Sequence, residues 1–337
     1  MMSPPRRKLL QAALASAALQ AIGGNAHPLM SRPRMRVILD NDFSGDPDGL
    51  FQLAHHLASP SVEIPFIIGS HIHPGDFLDG STRQARNAAA RVAELMATMK
   101  LPRRPPVVAG RETALAPGET PEPTEAARRI IAEALRDDTK LPLFYAAGAG
   151  LTDLAVALML EPRIASRLTL VWIGGREHAD LLPGVPPRSD GEYNFTIDAL
   201  AAQHVFNAST IAIWQVPRNV YRLPIISHAE LTAGLRAAPR LGAFLLGQLD
   251  RVQTVMQGGL GETYILGDSP LVTLTALQSS FEPDSASSSY VVRPTPHLHA
   301  DGTYAPAPGG RPMRVYTGVD TRLTFADMFA KFAATAP

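Results

Sequence analysis

The chain reads as an α/β protein, Rossmann-like, with a mainly parallel central sheet and helices on both faces. Three observations predict that class. Short β-branched or apolar runs alternate with helix-period segments from residue 35 to residue 216. Glycines or polar residues close most of the runs, as expected where a strand gives way to a helix. Four aspartates follow the first run within nine positions, in "ILDNDFSGDPDG" (38–49). In such sheets ligands bind beyond the C-terminal ends of the strands, so this acidic loop lies where chemistry is expected.

The elements follow in order. "MRVILD" (35–40) is a short β-branched run, hence a buried strand. "DGLFQLAHHLAS" (48–59) has apolar residues at helical spacing and an aspartate at its start, where a helix favours negative charge. "VEIPFIIGS" (62–70) is the next strand, and "STRQARNAAARVAELMATM" (81–99) a helix with a Ser/Thr start. "PPVVAG" (105–110) is a strand, "TEAARRIIAEALRD" (124–137) a helix, and "LPLFYAAG" (141–148) a strand. "GLTDLAVALMLEP" (150–162) is a helix stopped by Pro162, and "RLTLVWIGG" (167–175) a strand closed by glycines. A Gly/Pro-rich loop spans 174–191, followed by a helix over 197–207 and the strand "TIAIWQV" (210–216). Two helices are expected within 226–257, another over 269–278, irregular chain or short hairpins over 279–312, and a closing helix over 324–334.

Composition narrows the function. The 337 residues are 45% hydrophobic and 18% charged, with no formal net charge, so nothing favours nucleic acid or an acidic membrane as partner. The absence of cysteine excludes disulfides, thiolate nucleophiles and sulfur-ligated metals. Residues 1–26 read as a twin-arginine export signal. Arg6 and Arg7 precede an apolar stretch from Leu9 to Ile22, and cleavage is expected after Ala26. The stretch is too short and Ala-rich to span a membrane. Residues 27–34 are a linker and 35–337 a single domain, exported to the periplasm or secreted.

Several constellations carry chemistry. Asp40, Asp42, Asp46 and Asp48 suit a hard cation, because calcium takes six to eight oxygens and clustered carboxylates supply them. A helix cap explains one aspartate, not four. Asp268 in "ILGDSPL" (265–271) opens a helix after an apolar run. "GAGLTDLA" (148–155) places Thr152 at a strand-to-helix junction. In "DGEYNFTIDALAA" (190–202), Glu192 and Asn194 share one face of an extended segment and could hydrogen-bond a polyol. His71 and His73 follow the second strand, His73 being the stronger candidate for a leaving-group acid or sugar contact. His178 lies in the long loop. His55 and His56 read as surface or packing residues. Trp214, Arg218, Tyr221 and Arg222 lie near a strand end, where they could stack on or hydrogen-bond a base.

Taken together these motifs resemble the inosine-uridine-preferring nucleoside hydrolase family, from about residue 35 to residue 334. The acidic loop matches the family's D-x-D-P-G-x-D-D, "ARNAAARVAEL" its R-N-A helix, and "GAGLTDLA" its G-x-L-T-N turn. "WIGG" matches its M-G-G strand end, "EYNFTIDALAA" its E-F-N segment, and "GDSPLVT" its H-D-P-L-A helix start. The resemblance implies an α/β fold with one Ca2+ at the strand ends. It makes Asp42, Asp48 and Asp268 carboxylate ligands and adds the backbone carbonyl of Thr152. Asp46, Glu192, Asn194 and Asp268 would hold the ribose hydroxyls, and Asp42 would take a proton from the attacking water. The implied reaction is hydrolysis of the N-glycosidic bond of a nucleoside or related N-glycoside. A homo-oligomer is left open.

Four positions depart from the family pattern, one of them the asparagine of A-G-N after the second strand, which falls near His73. Pro47 separates the last two acids and shifts one ligand by a residue, Gly267 stands where the family has a histidine, and Asp153 replaces an asparagine. In members that have it, that histidine helps protonate the leaving base. Its loss keeps alive a calcium-dependent nucleoside or sugar binder without catalysis. A haloacid-dehalogenase-like phosphatase stands further back, because its late motif needs an aspartate where this chain has Val272.

Overall fold

The computed structural model describes residues 32–101, 103–182, 189–279 and 288–335. The twin-arginine segment with Arg6, Arg7 and Ala26 lies outside the described residues, and so does most of the expected linker. From Pro33 on, the described chain belongs to one compact unit. Among the described residues no helix is long and apolar enough to cross a membrane.

Strand β1 (Met35–Asn41) is fully buried and pairs in parallel with three others. These are β2 (Val62–Glu63), β3 (Ile67–Gly69) and, past β4 (Val107–Ala109), β5 (Leu143–Ala147). Strands β6 (Leu168–Ile173) and β7 (Ala212–Val216) extend the parallel set. β8 (Ile225–Ser227) and β9 (Thr263–Ile265) form a separate antiparallel ribbon. β10 (Ser289–Pro294), β11 (His297–Leu298), β12 (Tyr304–Ala305) and β13 (Pro312–Gly318) complete the set. The main sheet runs β10-β13-β7-β6-β5-β1-β3-β4, with β2 beside β1. β13 joins β7 in parallel, while β10 is an antiparallel edge.

Side chains alternate across β1: Val37 and Leu39 enter one hydrophobic cluster and Ile38 the other. The first face is covered by α1 (Asp48–Leu57) and α2 (Gln84–Met99), the second by α3 (Glu125–Ala134) and α4 (Thr152–Leu160). Thr124 caps α3 by accepting from Ala127 N–H at 3.0 Å.

Several elements differ from the sequence reading. The expected strand 62–70 breaks into β2 and β3 around Pro65, which has no N–H to give a ladder. The expected helix 197–207 is two pieces, α6 (Ala199–Gln203) and a π-helical turn (His204–Ala208), preceded by a short helix α5 (Tyr193–Ile197). Asp198 separates α5 from α6 and caps α6 through the N–H of Ala201. After α7 (Arg218–Tyr221), the two helices expected in 226–257 are α8 (His228–Leu235) and α9 (Pro239–Val255). The helix expected over 269–278 shrinks to α10 (Pro270–Thr273), and α11 (Thr321–Thr335) closes the chain. β13 was not anticipated at all.

Candidate active site

The C-terminal ends of the parallel strands surround a cavity of about 410 Å³. Asp42, Asp46, Asp48, Glu192, Asn194 and Asp268 all line it, although they come from three distant stretches of sequence. Asp42 sits just past β1, where the chain turns back and Gly45 N–H bonds Asp42 O at 2.7 Å. Asp46 receives Asp48 N–H at 3.1 Å and the Tyr264 hydroxyl at 2.7 Å. Arg251 holds the same loop from outside, donating to Ser44 O and Gly45 O at 3.2 Å each. Asp48 opens α1; its carboxylate accepts from Gly49 N–H at 2.8 Å and Asp268 N–H at 3.2 Å. The two acidic segments are thus tied to each other by backbone.

Asn41 is the organiser that sequence reasoning missed. Its Nδ2 donates to Asp268 Oδ2 at 2.8 Å, and its Oδ1 accepts Asp42 N–H at 2.8 Å. Gln52 Oε1 lies 3.3 Å from the same Nδ2, and Gln52 also contacts His56. His56 continues to Thr275 Oγ1 at 2.9 Å, so a buried polar chain runs from the cavity floor into the core. His55 and His56 are both packing residues with no exposed surface. A Cβ at Gly148 would meet Asn41 Nδ2 at 2.3 Å, so the asparagine needs a glycine on β5's outgoing turn. A signal existed: an asparagine between Asp40 and Asp42 at a strand end is well placed to bridge two loops.

Glu192 and Asn194 do not share an extended segment: Glu192 is extended, but Asn194 already lies in the following helix. Glu192 is the N-cap of α5, accepting from Asn194 N–H at 3.2 Å and Phe195 N–H at 2.8 Å. Gly175 N–H reaches it at 2.7 Å from a turn with φ +83°, a conformation that favours glycine. The Tyr221 hydroxyl adds a fourth bond at 2.8 Å. Asn194 faces the cavity from the first turn of α5, its Nδ2 donating to Gly148 O at 3.0 Å and Ile173 O at 2.8 Å.

Electrostatics mark the floor. Burial pushes the Asp42 carboxyl well above the usual range, and Asp268, Asp46 and Asp76 add repulsion. Asp48 is raised by burial, then by Asp268, Asp46 and Asp42. Asp268 is pushed up to about 7, chiefly by burial, against the lowering effect of the Asn41 bond. Asp46 keeps an exposed edge yet is raised by the protein packed around its other sides. Burial also raises Glu192, opposed by its four donors. Burial and mutual repulsion thus oppose the charged forms of these acids, and a cation among them would offset both.

The donor set is all oxygen, which suits a hard ion such as calcium. Among the described residues, however, no three acidic or imidazole side chains stand close enough to enclose an ion. The carboxylates fit a cation by chemistry and charge, and they form a lining rather than a closed cage.

Other expected residues lie elsewhere. Asp40 is inside β1, not in the loop, and its carboxylate accepts from Ser70 and Tyr145 hydroxyls. Thr152 does not line the cavity. It is the first residue of α4, and its hydroxyl donates to Asp198 at 2.8 Å. His71 meets that hydroxyl at 3.0 Å, and burial lowers its pKa. His73 stands outside the lining, its Nε2 3.0 Å from Thr196 Oγ1 and its ring edge against Tyr193. Trp214 packs under the sheet against Phe144 and Tyr316, with the Arg314 guanidinium 4.2 Å from its ring, so it cannot stack on a ligand in this cavity. His178 lies flat on Tyr304 and bonds Gln215 at 2.9 Å, away from the acids. Arg218, Tyr221 and Arg222 do reach the lining, joined by Asp76, Phe77 and Tyr193, which the sequence did not single out.

Comparisons with known proteins agree with this geometry. The family model described as inosine-uridine preferring nucleoside hydrolase matches residues 37–325. The purine-preferring ribonucleoside hydrolase from Gardnerella vaginalis is similar in structure, with TM-score 0.65 and 18% identity over 89% of this chain and 99% of that one. A plant nucleoside hydrolase gives TM-score 0.63 and 18% identity over 90% of this chain and 100% of that one. The inosine-uridine preferring nucleoside hydrolase from Bacillus anthracis gives 0.62 and 18%, over 89% and 99%. At those identities the structural likeness speaks for the fold. No curated protein matches the chain by sequence. The family match spans most of the chain and coincides with an acid-lined cavity at the strand ends, and on that ground the protein belongs to the inosine-uridine preferring nucleoside hydrolase family, a family of N-glycosidases.

Proposed function

We propose that the protein hydrolyses the N-glycosidic bond of a ribonucleoside or related N-glycoside, with calcium as cofactor and Asp42 as general base. The observation that carries this reading is the convergence of Asp42, Asp48 and Asp268 on one cavity, each raised by burial and by other acids. Asp42, Asp48 and Asp268 would hold the ion, which when bound supplies charge that activates a water molecule. Asp42 then accepts the water's proton. Glu192, fixed by four donors, and Asn194 face the sugar across the cavity, and Asp46 and Asp268 accept from its hydroxyls. The positive charge that grows on the sugar ring as the bond breaks is met by this acidic floor. His73 supports only an indirect role, through the ring of Tyr193.

Residues 35–337 would form the single catalytic domain of an exported enzyme, with Arg6 and Arg7 directing twin-arginine transport. The test is release of free base and reducing sugar from a panel of ribonucleosides by calcium-supplemented protein. Binding without any release, under saturating protein, would favour the non-catalytic binder, a reading that Gly267 motivates.

A further inference from the structure

We infer that the substrate of this site is a cationic N-riboside of the N-ribosylpyridinium class, whose base leaves as a neutral molecule without being protonated. The inference rests on the N-glycosidase reading of the cavity and narrows its substrate class.

The first support is the lack of a free imidazole, ammonium or phenol to protonate a leaving base. Among the described residues the lining contains no histidine and no lysine. Its two tyrosines already donate to carboxylates, Tyr221 to Glu192 Oε1 at 2.8 Å and Tyr193 to Asp76 Oδ2 at 2.6 Å. Position 267 leaves little room for an acid: a Cβ on Gly267 would stand 3.1 Å from Asp48 Oδ2 and 3.3 Å from Tyr221 O. A neutral purine or pyrimidine departs carrying negative charge and needs a proton. A pyridinium base needs none.

The second support is charge. Seven acids line the cavity against two arginines. Arg218 is matched by Glu177, at 2.7 and 2.8 Å, and by Asp190 at 3.4 Å. Within the lining that leaves Arg222 and one divalent ion to face the remaining acids, with Arg251 behind the loop that carries Asp46. Asp76 serves neither the proposed ion nor the sugar. Beside it at the mouth stand two aromatic side chains, Tyr193 at 41% and Phe77 at 60% exposure. Aromatic faces beside a carboxylate attract a flat cation more strongly than a neutral ring.

The step balances. Water adds to C1′ as the C1′–N bond breaks. The bonding pair passes to the pyridine nitrogen and cancels its charge, and Asp42 takes the proton and releases it to solvent. The products are ribose, a neutral base and one proton.

The test compares kcat/KM for nicotinamide riboside, inosine, uridine and p-nitrophenyl riboside, using the full mature chain with calcium. Since a positioned acid contributes about 100- to 10,000-fold, nicotinamide riboside should exceed inosine and uridine by about 100-fold or more. Asp76→Asn should lower kcat/KM for nicotinamide riboside about tenfold more than for the neutral p-nitrophenyl riboside. Inosine or uridine turning over as fast as nicotinamide riboside would overturn the inference, as would equal losses in Asp76→Asn. In those cases an N-riboside is still cleaved at its C1′–N bond, and the N-glycosidase reading survives. If none of the three N-ribosides is cleaved, both fall.

Discussion

Asp42 has two demands on it: its backbone N–H is fixed by Asn41, and its carboxyl carries the repulsion of three other acids. If it is the base, Asp42→Asn keeps the volume and the turn but removes the proton acceptor. We expect kcat to fall by about 100- to 10,000-fold, with circular dichroism and melting temperature near wild type. Tyr221 acts one step further out. Tyr221→Phe removes one of four bonds to Glu192, worth about 1.5–3 kcal/mol for a charged acceptor, so kcat/KM should fall roughly 10- to 100-fold. Steady-state kinetics on one nucleoside check both. Most of the acid residues were legible because carboxylates clustered after a buried run are costly without a partner. Their supports were not. Asn41, Tyr264 and Tyr221 act through contacts with residues 227, 218 and 29 positions away, and nothing local in the sequence announces such pairings.

At the level of elements, Trp214 shows how a residue's role depends on which side of the sheet it leaves. It packs on Phe144 near the start of β5, far from the strand ends that hold the acids. Trp214→Ala should cost about 3 kcal/mol of stability through lost packing and leave kcat/KM of the folded enzyme unchanged, measured by denaturant unfolding and kinetics. A large loss of base affinity would instead restore it to the site. The parallel core was legible in the alternation of strand and helix periods. β13 was not, because "PMRVYTG" sits behind Gly- and Pro-rich chain and its pairing partner β7 lies about a hundred residues earlier. The α5–α6 break was hidden for a different reason: Asp198 breaks an apolar pattern that otherwise reads as continuous helix. Beneath the site, Asp40 in β1 is pushed up to about 7 and Asp153 in α4 up to about 6, both mainly by burial, from an ordinary 3.8. The folded protein therefore keeps protons that the unfolded chain loses above about pH 4, and stability should fall as pH rises from about 4 to 7. Denaturant midpoints at pH 5 and pH 8 check this. Asp40→Asn should flatten the slope, and a midpoint that rises with pH would contradict it.

For the whole molecule, the sheet and the separate β8–β9 ribbon do one thing for function: they bring three acidic stretches, after β1, after β6 and after β9, to one cavity. The proposed export belongs to this scale too. Replacing Arg6 and Arg7 by lysine should leave the precursor in the cytoplasm, read by fractionation and blotting, whereas unchanged periplasmic recovery would argue against the twin-arginine route. The central claim is that the acidic floor works with a bound calcium ion to cleave an N-glycosidic bond. The most direct measurement strips the pure protein of divalent ions and follows base release while calcium is added back. The account predicts no turnover in the stripped protein and full recovery as calcium approaches one ion per chain, with neither recovery nor binding in Asp268→Ala. Undiminished turnover after metal removal would contradict it.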